Sequence, residues 1–190
     1  MKRIRITLKR QKISAVAELF EDVTPKTCKG ILSVLPIETT LRHSQFIGHF
    51  VWCNLVPSGE PTKELKDVPC MPTHFPENYS KYPLPGELAY GIGVPAWEGG
   101  ERGSSSTIYD FLICYGPDSH FRMDLPIGMA IFGVVIEGFK DLATGLQNLT
   151  KLGEEPIRIE LLKGDFPPSE ERLIPARWGH YAKGGALSKA

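Results

Sequence analysis

One stretch, Met129 to Leu152 (MAIFGVVIEGFKDLATGLQNLTKL), constrains the fold more than any other. Ile131 to Ile136 is an apolar run of strand length, which predicts a buried strand. From Gly138 onward Phe139, Leu142, Ala143, Leu146 and Leu149 recur at helical spacing, which predicts an amphipathic helix with one apolar face. A strand and a helix joined without a real loop form a rigid corner. Both elements carry apolar surface that other elements must cover.

The rest of the chain supplies strands to do so. Arg3 to Arg10 alternates apolar and charged residues with period two, predicting a half-buried strand. Ile13 to Phe20 predicts a second strand, and Gln11-Lys12 between them makes a hairpin. Thr24 then has the chemistry of an N-cap, with Pro25 at the first helical position, where its missing N–H costs nothing. Cys28, Ile31, Leu32 and Leu35 follow on one helical face, and Pro36 ends the helix. Ile37 to Ser44 reads as a polar connection. Further strands are expected at Phe46–Leu55, Gly86–Ile92, Thr107–Tyr115 and Ile157–Leu162, the last pairing with the first, with a short strand or edge at Phe121–Leu125. Thr107–Tyr115 is apolar on both faces for much of its length, as a central strand should be. Val56 to Pro85 contains seven prolines and no strong period, so it reads as irregular connection with at most one short strand. Pro95 to Ser106 is rich in glycine and serine and reads as a mobile segment, with Ser104-Ser105-Ser106 at a flexible hairpin tip. About eight strands with two helices far apart in sequence predict a β-barrel or sandwich closed by helices, not an alternating α/β fold.

Composition narrows function by exclusion. The 190 residues suit one domain, and 42% hydrophobic content is enough for a proper core. Lysine plus arginine equals aspartate plus glutamate at 22 each, which removes the electrostatic case for nucleic acid or an anionic membrane. The basic start at Lys2-Arg3 is followed by alternation rather than an apolar core, so a cytoplasmic protein without a signal peptide is expected. No apolar run is long enough to cross a membrane as a helix. Cys28, Cys53, Cys70 and Cys114 show no CxxC spacing and are expected as reduced, mostly buried thiols.

Two segments resemble the cyclophilin superfamily. Leu19-Phe20-Glu21-Asp22-Val23-Thr24-Pro25-Lys26-Thr27 is similar to the cyclophilin strand end and proline-led helix start. Ile131-Phe132-Gly133-Val134-Val135-Ile136-Glu137-Gly138 is similar to the F-G-x-V-x-x-G segment before the second cyclophilin helix. Between them the peptidyl-prolyl isomerase signature, with its F-H-R start and Q-G-G-D end, is absent. The middle instead resembles bacterial cyclophilin-like proteins of unknown function, through His49-Phe50-Val51-Trp52, Gly86-Glu87-Leu88-Ala89-Tyr90 and Phe111-Leu112-Ile113-Cys114-Tyr115-Gly116. The resemblance covers roughly residues 3–162. It implies a mainly β, cyclophilin-like closed eight-stranded β-barrel capped by two α-helices over residues 1–164. Residues 165–190 remain as a C-terminal extension, expected to dock on its own domain or on a neighbouring subunit of a homo-oligomer.

In that fold the pocket lies on the outside of the barrel. The candidates on the relevant segments are Arg42, His43, Trp52, Glu87, Tyr90, Tyr115 and Arg122. An arginine among aromatics suits a small carboxylate or amide, since the guanidinium fork grips the polar end and the rings supply apolar area. Each has a plainer alternative: strand aromatics are commonly core residues, and Arg42 can serve a surface ion pair. His49 and Cys53 would share a strand face but lie roughly 13 Å apart, too far to hold one metal ion. Ser104-Ser105-Ser106 after Gly103 lacks the lysine and helix of a phosphate loop. The leading expectation is therefore a small-molecule-binding protein with no cofactor, metal, nucleic acid or membrane. A weak isomerase using Arg42 and an oligomeric scaffold or accessory subunit of a metabolic enzyme remain as alternatives.

Overall fold

A computed structural model describes residues 1–44, 48–70, 74–93, 107–117, 119 and 129–169. The strands are β1 (Arg3–Leu8), β2 (Ile13–Leu19), β3 (Ile37–His43), β4 (Phe50–Asn54), β5 (Tyr79–Ser80), β6 (Glu87–Gly93), β7 (Ile108–Cys114), β8 (Met129–Glu137) and β9 (Glu154–Leu161). The helices are α1 (Pro25–Leu32), α2 (Lys63–Lys66), α3 (Phe139–Gln147) and α4 (Leu149–Leu152). Eight strands close an antiparallel barrel in the order β1-β9-β3-β4-β7-β6-β8-β2, with β2 returning to β1. The two-residue β5 is an extra strand on β8, lying beyond the end of the β2–β8 pairing.

The period-two alternation of β1 puts Ile4, Ile6 and Leu8 inside, fully buried, and leaves Arg5 outside. β1 pairs with β2 from Arg3↔Glu18 to Leu8↔Ile13, and with β9 on its other edge. The inner faces meet in one core that includes Leu19, Leu41, Val51, Leu88, Tyr90, Phe111, Ile113 and Phe132.

β8 is hydrogen-bonded to β6 on one edge and to β2 on the other, so the opening stretch does sit at the centre of the closure. Gly133 is required there: a Cβ would stand 2.7 Å from the Glu18 carbonyl oxygen of the neighbouring strand. Gly138 turns the corner at φ +73°, a left-handed conformation that glycine adopts without steric cost. Leu142, Leu146 and Leu149 are buried and Phe139 and Ala143 half-buried, as the helical spacing predicts. The helix is interrupted at Asn148, which separates α3 from α4.

Two readings need correction. Ile37–His43 is strand β3, between β9 and β4, not a polar connection. Its inward positions are Ile37, Thr39 and Leu41, and the threonine hides the apolar alternation while still favouring a pleated backbone. Thr24 stands at the N-cap of α1, but its hydroxyl donates to the Phe20 carbonyl at 3.0 Å instead of capping the helix. The Glu77 carboxylate accepts from Lys26 N and Thr27 N, at 3.3 and 2.8 Å. A carboxylate supplied from the proline-rich connection thus satisfies the free N–H groups and the positive end of the helix. That connection also carries α2, which packs on α1, and β5.

All four cysteines are free and buried. The expected strand at Phe121–Leu125 and the hairpin tip at Pro95–Ser106 lie outside the described residues, as does most of the C-terminal extension. Residues 165–169 run beside the barrel. Phe166 exchanges backbone hydrogen bonds with Met1, the Arg3 guanidinium lies 4.6 Å over its ring, and Ser169 N donates to the buried Glu18 carboxylate.

Candidate functional site

Strand alternation decides which candidates can meet. On β3, β4 and β7 the even-numbered residues Arg42, Trp52, Asp110 and Leu112 face outward, while His43, Val51, Phe111 and Ile113 face the interior or its mouth. The outer face of β4, β7, β6 and β8 is apolar. Phe50, Ala89, Leu112 and Ile131 are buried there in a second cluster that includes Phe20 and Val134, with Trp52 and Met129 half-buried against it. Pairing aligns Arg42, Trp52, Leu112, Ala89 and Ile131 in one row across five strands. Arg42 marks the end of this row. It is 56% exposed and reaches Glu154 of β9 at 3.8 Å.

Asp110 occupies the next row, opposite Asn54 on β4 and Gly91 on β6. No described residue ion-pairs or hydrogen-bonds with its carboxylate. Burial alone pushes that carboxyl up to about 7. Asn54 spends its side-chain oxygen on Val56 N and Tyr109 N, and Gly91 offers no side chain. The sequence reading passed over Asp110. The available signal was a lone acid within a strand that is otherwise largely apolar.

The other candidates lie elsewhere. Glu87 faces outward at the start of β6, buried, and accepts from Leu84 N at 2.6 Å. Tyr90 is fully buried in the barrel core, on the opposite side of the wall from Arg42 and Trp52. His43 and Tyr115 meet at the barrel end closed by α3 and α4, where His43 Nε2 and the Tyr115 hydroxyl share a hydrogen bond. His49 joins them edge-on to the Tyr115 ring, and its Nδ1–H donates to the Pro117 carbonyl at 2.7 Å. Burial, and then the proximity of His49, hold the His43 pKa below its ordinary value, while burial raises that of Tyr115. The structure therefore splits the candidates into a flank group, Arg42 and Trp52 with Asp110, and a mouth group, His43 and Tyr115. Arg122 lies outside the described residues. Cys53 is in the core, and His49 precedes β4.

A closed eight-stranded barrel with this strand order, and with a proline-led helix and a strand–helix corner at its ends, has a cyclophilin-like fold. The chain belongs to the family described as Protein of unknown function (DUF3830), whose model matches residues 6–161. Among solved structures it is similar to a cyclophilin-type peptidyl-prolyl cis-trans isomerase from Cryptosporidium parvum, at 20% identity over 86% of this chain and 99% of that one, TM-score 0.52. The Mimivirus cyclophilin is similar at 18% identity over 84% and 86% of the two chains, TM-score 0.52. McbB, solved in complex with tryptophan, is similar at 11% identity and TM-score 0.56, with 87% of this chain covering 46% of McbB, about half its length. At these identities the likeness is one of fold. Comparison with curated proteins finds no match. Among the described residues no helix is long and apolar enough to cross a membrane.

Proposed function

We propose that this protein binds a small polar or anionic molecule on the flank of its barrel, held by Arg42 and resting on Trp52. The observation that carries this reading is the composition of the outer face. An apolar surface built from four strands ends at a half-buried tryptophan and an exposed guanidinium in the same row. Phe50, Ala89, Leu112 and Ile131 are buried, so the part of this face that a ligand can reach is the half-buried Trp52 beside the exposed Arg42 guanidinium, which suits a molecule with an apolar body and a polar end. The Arg42–Glu154 contact is loose, at 3.8 Å with both side chains more than half exposed, 56% and 55%. A pair of that kind contributes well under ~1 kcal/mol. A ligand carboxylate can replace Glu154 on the guanidinium fork at little cost, and bidentate geometry then favours it.

A thermal-shift screen over small carboxylates and amides tests the reading. At least one compound should raise the melting temperature of the wild-type chain, and Arg42→Ala should abolish that shift while leaving the unliganded melting temperature nearly unchanged. If every stabilising compound acts equally on both chains, the flank is not where they bind.

A further inference from the structure

We propose that Asp110 is a second ligand-gripping group of the flank site, so that the molecule bound there is a small zwitterion with its cationic end at Asp110 and its carboxylate at Arg42. This rests on the flank reading and adds the ligand's second charge. Strand register sets the distance between the two groups. Arg42 is on β3 and Asp110 on β7, with β4 between them, and their rows are two residues apart. From strand spacing and rise, their Cα atoms lie roughly 12 Å apart, a span that the length of an arginine side chain shortens. Trp52, on the intervening strand, supplies an aromatic surface beneath an aliphatic body.

The surroundings of Asp110 leave a ligand as its natural partner. Asn54 commits its side-chain oxygen to two backbone N–H groups, and Gly91 offers no side chain at the opposite position. Next to Gly91 stands the Met129 side chain, which brings no charge: a Cβ on Gly91 would touch its sulfur at 3.0 Å. A carboxylate partly buried on an apolar wall, with no ion pair or hydrogen bond to it from any described residue, is costly unless something pairs with it. An ammonium group of a ligand would do so, and it would turn the cost of desolvation into affinity. It would also lower the carboxyl from the neighbourhood of 7, where burial now holds it, by stabilising the charged form. Among the described residues, ionisable groups around this wall include Arg42 on β3 with Glu154 on β9, Cys53 on the inner face of β4, Glu87 on β6, and Cys114 on β7. The thiols of Cys53 and Cys114 are pushed up by burial and stay neutral.

Three probes of one skeleton test the inference by calorimetric titration at pH 8: 6-aminohexanoate, hexanoate and hexylammonium. The zwitterion should bind at least ~10-fold more tightly than either single-charge probe, a difference of about 1.4 kcal/mol. Asp110→Asn, close in size and shape, should bring 6-aminohexanoate down to the affinity of hexanoate. In the wild-type chain the advantage of the zwitterion over hexanoate should shrink as pH falls from 8 to 5, a measurement that needs no variant to fold. Hexanoate binding as tightly as the zwitterion, or a zwitterion unaffected by Asp110→Asn, overturns the assignment of Asp110 and leaves the flank reading standing. Binding of none of the three overturns this inference, while the carboxylate and amide screen judges the flank site separately.

Discussion

Replacing Asp110 by asparagine should stabilise the protein at alkaline pH and leave it unchanged at acid pH. Stability is linked to the proton that this carboxyl binds. The folded carboxyl titrates at about 7, against 3.8 for a free aspartate. Below 3.8 the group is protonated in both states and costs nothing. Between the two values the folded state holds a proton that the unfolded chain has released, so stability falls as pH rises through that window. Above about 7 both states are ionised and the full penalty applies. A difference of 7 less 3.8, at about 1.4 kcal/mol per unit, sets that penalty at about 4 kcal/mol as an upper figure. Residual solvent contact at this half-buried position reduces it. Asparagine keeps the shape and removes the charge. Denaturant unfolding of the two chains at half-unit steps from pH 4 to 9 gives the difference directly, since titrations elsewhere cancel. The expected curve is near zero at pH 4, rises through the neutral range and levels above pH 8 at a gain of about 2 to 4 kcal/mol for the variant. A flat curve, or an asparagine variant less stable at pH 8, would refute the claim that Asp110 is a partly desolvated carboxylate without a partner among the described residues. A gain would mean that the protein sustains an unfavourable charge on an outer wall, the pattern expected where a group is kept for binding.

Other parts of the structure give equally definite outcomes. Gly133→Ala forces a Cβ to within 2.7 Å of the Glu18 carbonyl oxygen, which neither backbone can avoid without shifting β2 from β8. It should cost about 2 to 3 kcal/mol in denaturant unfolding, and a cost under about 0.5 would show that the two strands are not so tightly fitted. Arg3→Ala removes the guanidinium 3.2 Å from the fully buried Glu18 carboxylate and should cost about 3 kcal/mol, with Glu18→Gln in the same chain recovering part of it. The His43 ring should titrate below its ordinary 6.5 by NMR. The unfolded chain then takes that proton first, so the stability from the neutral ring is present above pH 6.5 and lost as pH falls through the folded value; a midpoint at or above 6.5 would contradict its burial beside Tyr115.

How far the sequence carried each of these points depends on the range of the interaction. β1, β2, β8 and β9 and the corner at Gly138 were legible because their alternation or apolar runs are local and strong. β3 was not, because one of its three inward positions is Thr39 and its partners β4 and β9 are distant in sequence. The capping of α1 was misread for the same reason: Thr24 has the right chemistry, yet Glu77, fifty residues on, takes the N–H groups. At the site, Arg42 and Trp52 were found as types suited to a ligand, and pairing sets them side by side. Tyr90 was grouped with them because sequence shows that a residue is on a strand but not which wall it faces. Asp110 was missed because a carboxylate becomes informative only when its surroundings are known to lack a partner.

The central claim is that the outer face bearing Arg42, Trp52 and Asp110 is where this protein meets its ligand. Backbone amide and tryptophan indole NMR, recorded during titration with a compound that stabilises the chain, tests it most directly. The account predicts the largest shifts at Arg42, at the Trp52 indole and at Asp110 and Leu112, with the inward residues Val51 and Tyr90 nearly still. Shifts centred instead on His43, His49 and Tyr115 at the barrel mouth, with the flank unmoved, would contradict it.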